Sequence, residues 1–187
     1  MGGRIALCPP CRRDRGEFLA SVERSAALHH PWTSPPRTPQ AFTEYLRRSR
    51  GGDYFGFLAR LGSEGDLVGV INVSSVVMGA LRSGYAGYYG FSDFGGQGLM
   101  TEALGLVVRH CFSELGLHRL EANIQPDNAP SLALARRCGF RLEGFSPHYL
   151  NISGEWRDHE RWAIAVEDLR DGSGPTTAER RAVPTSE

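Results

Sequence analysis

The chain contains no lysine: all 21 of its basic residues are arginine. A P-loop needs the sequence G-K-[ST], so that class of nucleotide site is excluded. The arginines are balanced by 21 acidic residues, which leaves no net charge to attract nucleic acid or an anionic membrane. We therefore predict neither as a partner.

Long apolar runs are also missing, and none of the apolar stretches is long enough to span a membrane. The N-terminal "MGGRIALCPPCRRDRGEF" meets charges and prolines too early for a signal peptide. These two features predict a cytoplasmic protein.

Cysteine is scarce, with four residues in the chain. Cys8 and Cys11 have the C-x-x-C spacing of half a zinc site or of a redox pair, but no second C-x-x-C or H-x-x-x-H follows. Cys111 and Cys138 fall on apolar helical faces, which favours a place in the core. We predict no metal site and no cysteine-bound intermediate.

The 187 residues suit one domain, which we place at residues 1–169, followed by a polar, flexible tail at residues 170–187. Periodicity predicts strands at 4–8, at 53–77 as a pair around "GSEGD", at 83–91, at 118–125 and from 140 onward, the last part being a hairpin across Ser153 and Gly154. Helices are predicted at 14–30, 40–50, 100–115 and 127–139. The three sequential strands before residue 91 favour an antiparallel meander.

A glycine-rich turn lies between the third of these strands and the helix at 100–115. Gly95, Gly96 and Gly98 occupy three of four positions there. Glycine lets a ligand approach the backbone, and a helix start offers unpaired N–H groups, so the turn is typical of an anion cradle. A Rossmann site is poorly supported because Thr101 stands where its third glycine belongs. A tight turn without a ligand is the alternative.

Asn128 and Ser131 begin the helix that follows a strand with alternating polarity. The polar face of that strand carries Glu121, Asn123 and Gln125. A helix N-cap explains Asn128 without any ligand, and Ser131 can be read as a first-turn hydroxyl. The two residues are therefore candidates for either a structural or a binding role.

Three ordered segments together resemble one family: "GFSDFGGQGLMTEAL", "HRLEANIQPDNAPSLALARRCGFRLEG" and "HYLNISGEWRDHERWAI". They are similar to the GCN5-related N-acetyltransferase (GNAT) superfamily, and to its RimJ/RimL type, which acetylates the N-terminal amine of ribosomal proteins. The likeness covers approximately residues 4–168 and includes "LHHPWTSPP". It implies a mixed α/β fold (α+β) with a central, mostly antiparallel sheet, split at the strand that ends near Phe91 and flanked by helices.

The resemblance implies acetyl-CoA as co-substrate, with the pyrophosphate held by backbone amides of the glycine loop and pantetheine in the split. The positions that it assigns to the co-substrate are Tyr89, Phe91, Ser92, Asp93, Gly96, Gln97, Gly98, Leu99, Met100, Thr101, Asn128 and Ser131. It also places the oxyanion donor at a backbone N–H near Phe91 or Ser92. Asp93 departs from the family, which usually has Arg or Gln there, and so places an acid near an anion.

The family's usual helix tyrosine, which protonates the leaving thiolate, falls at Ala135. The RimJ/RimL type offers a serine instead, so Ser131 is expected in that role. Glu121, acting through water, and His148 are the candidates for general base; a surface charge and a loop histidine are the alternatives. His30, Trp32 and Asp158 are expected near the acceptor.

The predicted reaction is direct acetyl transfer to a primary amine, most simply a protein or peptide N-terminal α-amine. A small-molecule acceptor (antibiotic, polyamine or amino acid) and a CoA-binding regulatory module without turnover remain alternatives at this point. We expect a monomer or a homodimer.

Overall fold

One seven-stranded sheet organises the chain, of which the computed structural model describes residues 3–170. The strands are β1 (Ile5–Cys8), β2 (Phe55–Leu61), β3 (Leu67–Val77), β4 (Ser83–Gly90), β5 (Arg119–Ile124), β6 (Arg141–Ile152) and β7 (Glu155–Ala165). The helices are α1 (Arg15–Arg24), α2 (Ala26–His29), α3 (Pro39–Arg48), α4 (Leu99–Ser113), α5 (Ala129–Arg137) and α6 (Val166–Arg170). Except for its first residue, the predicted tail lies outside the described residues.

The strand order is β1-β2-β3-β4-β5-β7-β6, and every neighbouring pair except β4 and β5 is antiparallel. The predicted meander is confirmed as β2, β3 and β4, and the hairpin as β6 and β7. Strands β4 and β5 are parallel because α4 carries the chain back across the sheet between them. The predicted mixed α/β fold with a mostly antiparallel sheet is confirmed.

The helix predicted at 14–30 is wrong as a single element. It is divided into α1 and α2 at Ser25, whose backbone leaves the helical region at φ −98° and ψ 11°. The Ser25 hydroxyl accepts a hydrogen bond from the Ser92 amide at 3.0 Å, a tertiary contact that local periodicity does not encode. The prediction also missed α6 at the end of β7.

Two apolar clusters cover the two faces of the sheet. The larger one joins α4 and α5 to the sheet through residues such as Leu104, Val107 and Leu120. The smaller one lies under α1 and α3 and contains Phe18 and Phe42, with ring centroids 4.8 Å apart. Strand β4 contributes to both clusters, with Ala86 in the larger one and Tyr89 packed against the smaller one.

Within residues 3–170, none of the helices is long and apolar enough to cross a membrane. The same residues contain no group of three or more His, Cys, Asp or Glu side chains placed to hold a metal ion. All four cysteines are free thiols, and Cys111 is fully buried in the core.

Candidate active site

The sheet opens into a cleft between β4 and β5. Their pairing runs only from Ser83–Tyr85 against Arg119–Glu121, and beyond it the two strands diverge. A cavity of about 270 Å³ fills the opening. Its lining comes from β4, from β5 and the start of α5, from the segment around α2 and from β7. The lining residues are Leu28, His29, Trp32, Thr33, Ala86, Gly87, Tyr88, Tyr89, Gly90, Asn123, Ile124, Gln125, Asn128, Pro130, Ser131, Leu134 and His159.

The glycine loop leads from the end of β4 into α4. Gly96 and Gly98 both have φ +74°, in the left-handed region that favours glycine, and Gly98 is the N-cap residue of α4 without a side-chain cap. The first amides of α4, at Leu99, Met100 and Thr101, therefore lack the side-chain acceptor that commonly caps a helix. A Cβ at Gly96 would meet no atom within 4 Å, so the loop leaves room for a ligand. These features fit a diphosphate at a positive helix end.

Two arginines flank this loop, and sequence reasoning missed both. Arg4 donates to the Gln97 carbonyl at 3.2 Å and forms an ion pair with Glu102 at 3.1 Å, which ties β1 to the first turn of α4. Arg24 forms an ion pair with Asp93 at 3.1 Å. The acid expected to disfavour an anion is thus paired with a cation.

Ser131 lies on the α5 wall of the cavity, opposite Tyr88 on the β4 wall. The Ser131 hydroxyl donates to the Tyr88 hydroxyl at 3.0 Å, and the Tyr88 hydroxyl donates to the Ser131 carbonyl at 3.2 Å. Burial raises the pKa of Tyr88 to about 12. Ala135, on the same helix, is wholly buried and has no proton to give.

Asn128 is the N-cap of α5, because its Oδ1 accepts a hydrogen bond from the Ser131 amide at 3.2 Å. The structural reading of Asn128 is therefore correct. Since the cap uses Oδ1, a contact between Asn128 and pantetheine would come from its Nδ2.

The structure argues against Phe91 and Ser92 as backbone donors to a ligand. The Phe91 amide donates to the Val68 carbonyl at 2.9 Å, and the Ser92 amide donates to the Ser25 hydroxyl. Their carbonyls accept from Phe94 and Gly95, and the Phe91 side chain is buried in the core. The direction of backbone groups alternates along a strand, so the amides of Tyr88 and Gly90 face the opening instead.

The two candidate bases lie away from the cavity. Glu121 sits where β4 and β5 still pair, opposite Tyr85, and its carboxylate accepts from Arg119 at 2.9 Å. His148 lies in a bulge of β6 with its side chain 82% exposed. Neither residue is among those that line the cavity.

The expected acceptor residues are only partly brought together. Trp32 lines the cavity, and its carbonyl accepts a hydrogen bond from Gln125 at 3.4 Å. His30 is exposed and is not among the lining residues. Asp158 accepts a hydrogen bond from the His148 amide at 2.7 Å and is also absent from the lining.

The neighbours of these residues, His29 and His159, occupy the wall instead, and each is 2% exposed. His29 Nε2 lies 2.9 Å from the Gly90 carbonyl, and His159 Nδ1 lies 2.9 Å from the Arg157 carbonyl. Burial lowers the pKa of both imidazoles, so both are neutral at pH 7. In β7 the pleat turns consecutive side chains to opposite faces, which explains why His159 reaches the cavity and Asp158 does not.

Two buried side-chain atoms within residues 3–170 have no hydrogen-bond partner, and both belong to residues of this wall: Nδ1 of His29 and Oδ1 of Asn123. None of the four cysteines is among the residues that line the cavity. Burial raises the pKa of Cys111 to about 12 and that of Cys138 to about 11, which keeps both thiols protonated.

Sequence reasoning missed Tyr88, Asn123, Arg4 and Arg24 as members of the site or its flanks. A signal existed for Asn123, on the polar face of β5 beside Gln125. Tyr88 lies shortly before the glycine loop in the sequence, but no sequence pattern identifies a partner for its hydroxyl. The two arginines carry no local signal, because their partners lie 69 or more positions away.

Comparison with known proteins agrees with this geometry. A family model described as the acetyltransferase (GNAT) domain matches residues 4–141. The chain is 36% identical over 126 residues to "Probable N-acetyltransferase YjcK" of Bacillus subtilis, covering 67% of this chain and 70% of that protein. It is 39% identical over 119 residues to "[Ribosomal protein uS5]-alanine N-acetyltransferase" of Escherichia coli, covering 64% of this chain and 60% of the relative.

Among solved structures, Mycobacterium smegmatis RimJ in complex with CoA-disulfide superposes with a TM-score of 0.81 at 32% identity. The match covers 88% of this chain and 83% of that one.

Proposed function

The chain belongs to the GNAT acetyltransferase family and is an acetyl-CoA-dependent N-acetyltransferase, and from this premise we propose that its acceptor is the α-amine of a protein or peptide N-terminus in the cytoplasm. A ribosomal protein is the acceptor class we favour, because the E. coli relative carries that activity in its name. The acetyl group passes directly to the amine, since none of the four cysteines lines the cavity.

The observation that carries this proposal is the lack of acidic side chains in the cavity wall. Among the described residues, those that line it include no aspartate and no glutamate. A polyamine carries several positive charges and is best held by carboxylates, whereas an N-terminal amine carries one charge of modest pKa. A neutral wall of Trp32, His29 and Asn123 therefore suits the single α-amine better.

The lack of a strong base in the cavity supports the same acceptor. An α-amine has an unperturbed pKa of about 7.7–8.0, against about 10.4 for a lysine side chain, so a useful fraction is neutral at cellular pH. Neither Glu121 nor His148 reaches the cavity, and an α-amine does not require them. His29 and His159 also line the cavity, and burial lowers the pKa of both imidazoles, so neither is a strong base.

The other binding and catalytic roles are assigned to groups of the chain itself. The loop amides at 96–101 hold the diphosphate, and Arg4 and Arg24 neutralise the acids beside it. The amides of Tyr88 and Gly90 face the opening and replace Phe91 and Ser92 as candidates for pantetheine and oxyanion contacts. Ser131 faces the leaving sulfur.

The test offers matched acceptors to the purified chain with acetyl-CoA and locates the acetyl group by mass spectrometry. We expect short peptides that begin with Ala or Ser to be acetylated at the N-terminus, and an α-amine-blocked peptide with an internal lysine to remain unmodified. The rate should rise with pH through the α-amine titration. Acetyl groups found only on lysine side chains or only on spermidine would contradict the N-terminal assignment.

A further inference from the structure

Tyr88 and Ser131 bridge the two walls of the cleft where the strands have separated. Tyr88 belongs to β4 and Ser131 to the first turn of α5, and the positions lie 43 residues apart in the chain. Two hydrogen bonds join them, at 3.0 Å between the hydroxyls and at 3.2 Å from the phenol to the Ser131 carbonyl. Both residues line the cavity, so this link is at the surface that a leaving group would touch.

In this arrangement the Ser131 proton points at Tyr88 and not into the cavity. Hydroxyl hydrogens rotate to suit their partners, and an oxygen of this kind can accept as well as donate. If the Tyr88 O–H turns from the Ser131 carbonyl to the Ser131 oxygen, the Ser131 O–H is released to point at the cavity. The 3.0 Å separation of the two oxygens allows this reversal without any movement of heavy atoms.

We propose that Tyr88 supplies the proton that the departing CoA sulfur receives, with Ser131 passing it on; this rests on the proposed acetyl transfer. The amine nitrogen bonds to the acetyl carbon, the carbon–sulfur bond breaks, and the electron pair stays on sulfur. Sulfur takes the Ser131 proton, Ser131 takes the Tyr88 proton, and the phenolate regains a proton from water. The nitrogen, which carries one proton too many once it is bonded to the acetyl carbon, releases that proton to water. Charge and protons balance, and no other reactant is needed.

Acidity is the reason to involve a phenol. A serine that gives up its proton alone becomes an alkoxide, a far stronger base than the thiolate it protonates. Burial raises the pKa of Tyr88 to about 12, and a thiol has an ordinary pKa near 8.5, so this phenol and the thiol are still more closely matched than a serine hydroxyl and the thiol. The buried Tyr88 stays protonated at neutral pH, because burial raises its pKa.

The first test removes the two hydroxyls. We expect Tyr88→Phe and Ser131→Ala each to lower the single-turnover rate by about 10²-fold, with acetyl-CoA affinity within about twofold of the unmodified chain. The double variant should be no slower than the slower single variant, because the groups act in series.

Tyr45→Phe is the matched control. It also removes a buried phenol hydroxyl, which donates to Asn72 at 3.0 Å outside the cavity, and it should leave the rate unchanged.

A second readout does not depend on turnover. The pKa of the thiol in bound CoA can be followed by the ultraviolet absorbance of its thiolate, with desulfo-CoA as the blank. A hydrogen bond donated by Ser131 stabilises the thiolate, and a hydrogen bond from Tyr88 strengthens Ser131 as a donor, so this pKa should be lower in the unmodified chain than in Tyr88→Phe.

Full single-turnover activity in Tyr88→Phe, or an unchanged thiol pKa, would overturn the relay while leaving the proposed function in place. An unmodified chain that binds CoA but acetylates no amine would instead overturn the proposed function, and the relay with it.

Discussion

The guanidinium of Arg24 lies 3.1 Å from the carboxylate of Asp93, and this ion pair stands directly before the glycine loop. About half of each side chain is exposed, so solvent weakens the pair. Its value to the site is local: the pair cancels a negative charge next to the place where a diphosphate would bind.

Arg24→Gln should therefore weaken acetyl-CoA binding by about two- to fivefold, as expected for losing one exposed charge contact. Isothermal titration calorimetry at low salt measures this affinity. The double variant Arg24→Gln with Asp93→Asn should recover most of the affinity, because the unpaired carboxylate is gone. A double variant as weak as the single one would show that Arg24 acts on the ligand directly.

Gly98→Val should weaken acetyl-CoA binding by tenfold or more, at least ~1.4 kcal/mol, because it forces a branched side chain into the turn at φ +74° and into the diphosphate path. Gly79→Val is the control with matched strain, since Gly79 also has φ +74° but lies in the turn between β3 and β4. Calorimetry and thermal melting separate the effects: both variants should lose stability, and only Gly98→Val should lose affinity. Equal affinities in two folded variants would remove the diphosphate from this loop.

Gln125→Ala should raise the KM for the peptide acceptor by about two- to tenfold, the worth of one hydrogen bond, without changing acetyl-CoA affinity. Gln125 links the end of β5 to the carbonyl of Trp32 across the acceptor wall, so its loss frees the segment after α2. Gln40→Ala removes the same group from the exposed side of α3 and should change neither constant. Steady-state kinetics with each substrate varied in turn measures the two KM values. A change confined to the KM for acetyl-CoA would contradict this placement of Gln125.

Stability should fall as the pH drops below about 6.5, because His29 and His159 are buried in the neutral form. Burial lowers the pKa of both in the folded chain, so between the folded and unfolded pKa values the unfolded chain binds more protons. The stability is therefore fully present above the pKa that the two imidazoles have in the unfolded chain. It is lost as the pH falls through their lower pKa in the folded chain. Arg37 adds to this effect at His29, and Asp158 partly opposes it at His159.

Urea unfolding at about pH 7.5 and about pH 5.5 measures how the free energy of unfolding depends on pH. His29→Gln retains a donor for the Gly90 carbonyl and should flatten the pH dependence, as should His159→Gln. A slope unchanged in both variants would assign the pH dependence to other groups.

The sequence by itself determined the elements whose causes are local. The apolar spacing of α4, the alternation of β5, the Asn128 cap of α5 and the glycines at positive φ are each set within a few residues, by side-chain periodicity and by the steric limits on φ. Together with the resemblance, they were enough to predict the sheet, its split, the glycine loop and the place of Ser131 beside the opening.

Only the tertiary structure decided which neighbour of each pair faces the cavity. His29 reaches the wall and His30 does not, and His159 reaches it and Asp158 does not, because a one-residue step along a strand or around a helix turns the side chain to another face. Asn123 and Glu121 share one face of β5, and only Asn123 lies beyond the point where β4 and β5 stop pairing. The partners of Tyr88, Arg4 and Arg24 lie 43 to 98 positions away, at distances fixed by how the layers pack. No local pattern carries that information, since the packing of separate elements alone brings such groups together.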